Sequence, residues 1–318
     1  MTQSTGELFD LGYRHYEGPR EGRARVRKAL YWNGVRTTLG IGRGSLAKAL
    51  PMLFFAAAMA PAVILALVAS QADQLLVAGG ELNVPGHSDY YQIVSIILIL
   101  FSAIIAPELL CPDRRDGVLS LYLVRPLTST DYVASRWMAF FSITLLLVYS
   151  GQVILFAGLV LSAEAPFDYL RDNWLDVPRF VAAGVVVAIF TSTLPLAVSA
   201  FTLRRAFAAT FVIGFFIISA AAGGILTECE DHEHGPGEAV EVSGQCEPLT
   251  GDAAKWFGLV NMFTVPIHVS DMIFGEENDS GPTRFVEELP NIVPITWYLF
   301  VTGGLAFVLW WRYRRITT

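Results

Sequence analysis

The chain has 318 residues, 53% hydrophobic and only 16% charged, where a soluble domain carries roughly 25% charged residues. That shortage, with charges separated by long gaps, excludes an ordinary soluble domain and points to lipid as the solvent. The formal net charge of −7 says little alone, because in a membrane protein the side on which each charge lies matters more.

Residues 1–20 read as an irregular polar leader. From Glu21 to Leu39 the pattern changes: Arg23, Arg25, Arg27 and Lys28 alternate with Val26, Leu30, Trp32, Val35 and Leu39, which predicts a basic helix lying among inner-leaflet headgroups. The first apolar run starts near Ala49 behind this segment, so no cleaved signal peptide is expected. "GIGRGSLAK" near Gly40 reads as a basic linker. It lacks the G-x-x-x-x-G-K-[ST] pattern that cradles phosphates, so nucleotide hydrolysis is not expected of this chain.

Six charge-free gaps are long enough for a bilayer core of ~30 Å. They place spans at about 49–70, 90–110, 137–161, 180–202, 206–227 and 293–311, and the expected fold is an all-α, six-span membrane protein. Lys and Arg are distributed unevenly over the segments between spans. Nine lie before the first span, four between the second and third, two between the fourth and fifth and three after the sixth, leaving four of 22 for the rest. The positive-inside rule then puts both termini in the cytoplasm. None of the gaps holds an ionisable residue, as a proton- or ion-coupled carrier would need. Glu108, at the cytoplasmic mouth of span two, is expected beside Arg114 or Arg115, with a substrate or gating role as the sharper alternative.

The segment joining spans two and three, 111–130, is the most informative. Cys111-Pro112 reads as a helix start, Val118, Leu121, Tyr122 and Arg125 fall on one helical face, and Pro126 stops the run. Thr130 is the expected N-cap of the helix entering span three. A short amphipathic helix on the inner membrane surface follows from that pattern.

Residues 228–292 form a large exterior segment. Its first part is acidic and carries Cys229 and Cys246; an exterior pair stays oxidised, so a disulfide is expected, contributing ~3 kcal/mol in the chain-entropy picture. "ECEDHEHG" (228–235) places His232 and His234 among acids, but the spacing suits a solvated loop better than a metal site. "WFGLVNMFTVPIHVSDMIF" (256–274) is apolar yet broken by Pro266, so it either rests on the outer interface or dips into it. Residues 293–318 supply span six, closed by Trp310-Trp311 and a basic tail. His15, His87 and His268 stand alone, and no Ser/His/Asp set suggests nucleophilic catalysis.

The order of residues between spans two and three resembles the corresponding loop of ABC-2-type transporter permeases, in which a segment like E-R-[ED]-x-G-T-L-x-x-L-L-x-x-P-[ILV]-[ST] forms the helix that docks on the ATPase subunit. Here the matching residues are Asp113, Arg114, Arg115, Asp116, Gly117, Val118, Leu119, Tyr122, Leu123, Arg125, Pro126, Leu127 and Thr128, with Leu121 on the same predicted face. Val118 replaces the commoner Thr, and Arg136 stands where Lys is frequent. The resemblance covers about 21–315. It implies an exporter's membrane half working as a dimer, with a related chain or a second copy. Separate ATPase subunits would carry the ATP and Mg, and this chain no cofactor. Membrane lipids are expected partners and nucleic acid is not. Uncharged spans with Gly214, Gly223, Gly224, Gly303 and Gly304 suit a hydrophobic or amphiphilic cargo and a lipid-facing surface equally. A membrane anchor or regulatory subunit whose exterior loop binds a partner is the alternative reading.

Overall fold

The computed structural model describes residues 22–71, 86–119, 122, 127–163, 165–227, 250–275 and 284–315. Among them the regular structure is helical throughout, and six helices are long and apolar enough to cross a membrane. The helices are α1 (Arg23–Thr38), α2 (Ser45–Ser70), α3 (His87–Ile105), α4 (Pro107–Arg115), α5 (Ser129–Ser162) and α6 (Pro166–Asp172). After them come α7 (Asp176–Ser199), α8 (Arg205–Leu226), α9 (Ala254–Phe257), α10 (Val265–Phe274) and α11 (Ile292–Arg314). Spans one to six are α2, α3 with α4, α5, α7, α8 and α11.

Spans two and four form the centre: 67% of the apolar window of each is buried, against 17–22% for spans one, five and six. Their inward faces meet α5 in one large apolar cluster, where Phe101 stacks on Phe140 with centroids 5.6 Å apart. A second cluster joins Phe190, Phe216, Met262, Val265 and Tyr298 between α7, α8, α10 and α11. Inside lipid the hydrophobic effect gives helices little reason to associate, so close packing through small residues has to supply the attraction. A Cβ on Gly151 of α5 would lie 2.0 Å from the Tyr90 hydroxyl oxygen of α3, and one on Gly34 of α1 would lie 2.6 Å from the Ala139 Cβ. Both contacts therefore require glycine.

At ~1.5 Å per residue, the 34 residues of α5 extend over about 50 Å, well beyond a ~30 Å hydrocarbon core. Span two, His87–Arg115, is also overlong at 29 residues. The end of α4 and the start of α5 lie at the end of the bundle that gathers Arg23, Arg43, Arg114, Arg136, Arg205 and Arg312. The basic stretch forms the helix α1, with Leu30, Gly34, Val35 and Thr38 buried and Tyr31 donating to the Ser142 hydroxyl at 3.1 Å. Trp32 remains 51% exposed.

The segment 256–274 contributes a bent pair: Gly251–Val260 and Val265–Phe274 meet at 98°. Pro266 does not break a helix here, because it occupies the first turn of α10, where its missing N–H is no loss. Val265 to Asp271 are all buried. At the far end, His87 Nδ1 lies 2.6 Å from Gln152 Oε1, and its ring stacks on Phe274 at 6.3 Å, tying α3, α5 and α10 together. Cys229, Cys246, His232 and His234, and with them the expected disulfide, lie outside the described residues. Cys111 is a buried free thiol.

Candidate functional site

Span two reaches its basic end through a proline. Pro107 occupies N1 of α4, the position where proline is tolerated best, and burial of Leu109, Leu110 and Cys111 holds the helix together through Pro112. The helix therefore does not start at Cys111-Pro112, as the sequence suggested. Asp113, Arg114 and Arg115 are the last turn of span two's extension. Two prolines compete for the helix start, and the earlier one takes it.

Asp113 is the hinge of the site. Its Oδ2 accepts from Arg136 Nη2 at 2.7 Å and from the Tyr132 hydroxyl at 2.7 Å, so the end of span two is bonded to the first turns of span three. Arg136 is 3% exposed and donates also to Asn33 Oδ1 of α1 at 2.9 Å. Its guanidinium carbon lies 5.7 Å from the centre of the Tyr132 ring. Arg114 donates to the Ala200 carbonyl at the C-terminal end of α7, where a helix dipole favours a cation.

Beyond α4 the chain reverses. Asp116 N–H donates to the Pro112 carbonyl at 2.9 Å, and Gly117 has φ +68°, a left-handed conformation that costs a residue with a Cβ about 1–2 kcal/mol. Arg115, Asp116 and Gly117 are exposed. Arg115 Nε donates to Asp116 Oδ1 at 2.9 Å, and this bond holds the Asp116 carboxyl below the usual carboxylate range. After the turn, Val118 accepts from Tyr122 N–H at 3.4 Å, Leu119 is buried, and Tyr122 packs on Tyr132 at 6.0 Å. Leu121 and Arg125 of the expected amphipathic face lie outside the described residues.

The return into span three is capped by Thr128 rather than Thr130. The Thr128 hydroxyl accepts from Asp131 N–H at 3.2 Å, and Asp131 Oδ2 accepts from Thr128 N–H at 3.1 Å, a reciprocal box that satisfies two end donors. Arg23 of α1 holds Asp131 at 2.6 Å. Thr130 instead receives the indole N–H of Trp310 at 3.1 Å, linking span six to the start of span three.

Glu108 pairs with Arg43 and Arg205, not with Arg114 or Arg115. It lies in the first turn of α4, nearly two turns before Arg114, facing α8 and the linker between α1 and α2. Sequence reading missed Arg43, Arg205, Tyr132 and Asn33 as parts of the site. Tyr132 and Arg136, four residues apart on one helix face, carried a local signal; Arg43 and Arg205 meet Glu108 across 65 and 97 residues and carried none. Among the described residues no three His, Cys, Asp or Glu side chains converge as a metal site would require.

The site is thus an exposed reverse turn whose two flanks are bonded to each other, with four further helices fastened around it. Through the Asp113 bonds to Arg136 and Tyr132, neither flank can tilt without breaking those bonds or moving the other. No protein-family model matches the chain, and no curated protein matches it.

Proposed function

We propose that this chain is the permease subunit of an ATP-binding-cassette exporter. In this reading it sits in a prokaryotic cell membrane with both termini in the cytoplasm, and it lines a pathway together with a second permease, either a copy or a relative. Separate ATPase subunits dock on the turn at 115–122 and carry the ATP and Mg. The observation that supports this best is the coincidence of family-like sequence with mechanical linkage: residues 113–128 carry the motif, and the same residues join the overlong ends of spans two and three.

The mechanism follows from that linkage. When two ATPase subunits close on nucleotide, the exposed Arg115-Asp116-Gly117 tip receives the displacement. Asp113 passes it to Arg136 and Tyr132, so the two spans tilt as one lever and the inner end of the pathway changes width. The basic helix α1, bonded through Asn33 and Arg23 to the start of span three, rides on this lever at the headgroup level, with Trp32 toward lipid.

The experiment is to purify the chain with its ATPase partner and compare Gly117→Pro and Tyr122→Asp with wild type. Both variants are expected to insert and to bind the partner while transport falls at least tenfold and substrate no longer stimulates ATP hydrolysis. Unchanged substrate stimulation in both variants would refute the coupling role.

A further inference from the structure

A cavity of about 350 Å³ opens at the basic end of the bundle, lined by Thr37, Thr38, Arg43, Leu50, Ile104, Glu108 and Arg205, among others. Its rim and its wall differ in chemistry. The rim holds two guanidiniums bonded to one carboxylate: Arg43 Nη1 lies 2.5 Å from Glu108 Oε2, and Arg205 binds Glu108 Oε1. The wall is apolar and belongs to spans one and two, through Ala47, Leu50, Ile104 and Ile105. Two cations against one anion leave the rim positive. Each guanidinium has five N–H donors, so the Glu108 bonds use only part of their capacity. Helices α2 and α8 both begin beside this cavity without a side-chain cap on their first N–H groups, which adds positive potential in the same place.

We infer that this cavity is a binding site for the phosphate headgroup of an anionic membrane lipid. Arginine pairs suit phosphate oxygens, because the planar fork offers parallel donors. A free phosphate would be served by the rim alone, whereas the apolar residues that spans one and two add beside it, Ala47, Leu50, Ile104 and Ile105, fit the first methylenes of an acyl chain. Ile104, 36% exposed, carries that wall out toward the lipid. Glu108 acts as the internal counter-ion: it holds the two guanidiniums facing the cavity while it is empty and competes with the phosphate for their donors. A bound headgroup would thereby bridge the α1–α2 linker, the end of span two and the start of span five. This inference stands apart from the exporter reading, since it involves neither ATP nor a partner subunit.

The test is native mass spectrometry of the full chain in detergent with phosphatidylglycerol and phosphatidylcholine added at equal concentration. Phosphatidylglycerol is expected to be retained about tenfold better, since both lipids offer the same phosphate but choline adds a cation that the two guanidiniums repel; that ratio corresponds to ~1.4 kcal/mol. Arg43→Gln and Arg205→Gln are expected to abolish that preference, and Glu108→Gln to raise it. Opposite signs distinguish a site from misfolding, which would lower retention in all three variants. Equal retention of the two lipids, or a preference indifferent to all three substitutions, would overturn the inference. Inorganic phosphate displacing phosphatidylglycerol as effectively as excess phosphatidylglycerol does would assign the rim to a free anion and overturn the lipid site.

Discussion

Asp113→Ala removes the one carboxylate bonded to both Arg136 and Tyr132, and its cost can be worked from the geometry. Arg136 is 3% exposed and Asp113 15%, so the substitution leaves a buried guanidinium whose remaining hydrogen bond is to the neutral Asn33. Breaking a buried ion pair by deleting one partner costs about 3–5 kcal/mol. Because the Asp113 side reaches solvent, the lower end applies, about 3 kcal/mol. Thermal unfolding in a fixed detergent is expected to show a Tm lower by about 5 °C or more. The double variant Asp113→Leu/Arg136→Met is expected to recover most of that loss, since an apolar pair of similar volume is often as stable as a buried ion pair. It should nevertheless remain uncoupled, because an apolar contact slides where the ionic one is fixed in direction. A loss for Asp113→Ala below about 0.5 kcal/mol, the range of an ordinary surface substitution, would refute the reasoning. So would a double variant whose loss is the sum of the single ones.

Gly117→Ala is expected to cost about 1–2 kcal/mol without a steric clash, since nothing lies within 4 Å of the added Cβ; Gly117→Asn should cost less, and chemical denaturation of the two variants checks the order. Gly34→Leu is expected to detach α1 from α5, because even a Cβ meets Ala139 at 2.6 Å, and protease cleavage within 23–38 should then accelerate at least tenfold while the spans stay intact. For the thiols, non-reducing mass mapping is expected to give a Cys229–Cys246 bridged peptide. Cys111, buried at the span-two end, should react with maleimide only after unfolding; alkylation of all three cysteines in the native protein would contradict both statements.

The spans were legible because a charge-free gap is a direct consequence of the solvent: each expected span falls on one long apolar helix, although α7 stops at Ser199 and α8 at Leu226, short of the expected 202 and 227. Their ends were not. The apolar gap of span three opens only after Arg136, and the helix that carries it, expected to be capped by Thr130, begins two residues earlier, at Ser129 behind Thr128; Arg136 is accommodated inside it by Asp113 and Asn33. Pro112 was read as a helix start for want of knowing that Pro107 had already taken that position and that Leu109 and Leu110 would be buried. The Thr128–Asp131 box is a four-residue pattern already present in the sequence, where Thr128 and Thr130 both offer a capping hydroxyl and the reciprocal bond with Asp131 selects Thr128. Glu108 was recognised as singular, but its partners were misassigned: neighbours in sequence carry Arg114 and Arg115 off toward α7 and the exposed turn, and only the fold brings Arg43 and Arg205 within reach. The buried α10 was hidden by Pro266, whose meaning depends on whether a new helix begins there.

The central claim is that the turn at 115–122 receives force from an ATPase. The most direct measurement places a photo-crosslinking amino acid at Val118 in the native membrane, irradiates with and without a non-hydrolysable ATP analogue, and sequences whatever is captured. The expected result is a single protein bearing the G-x-x-x-x-G-K-[ST] phosphate loop, captured with a yield that changes when nucleotide is present. Capture of lipid alone, while such an ATPase co-purifies with the chain and crosslinks to a different surface, would contradict the account.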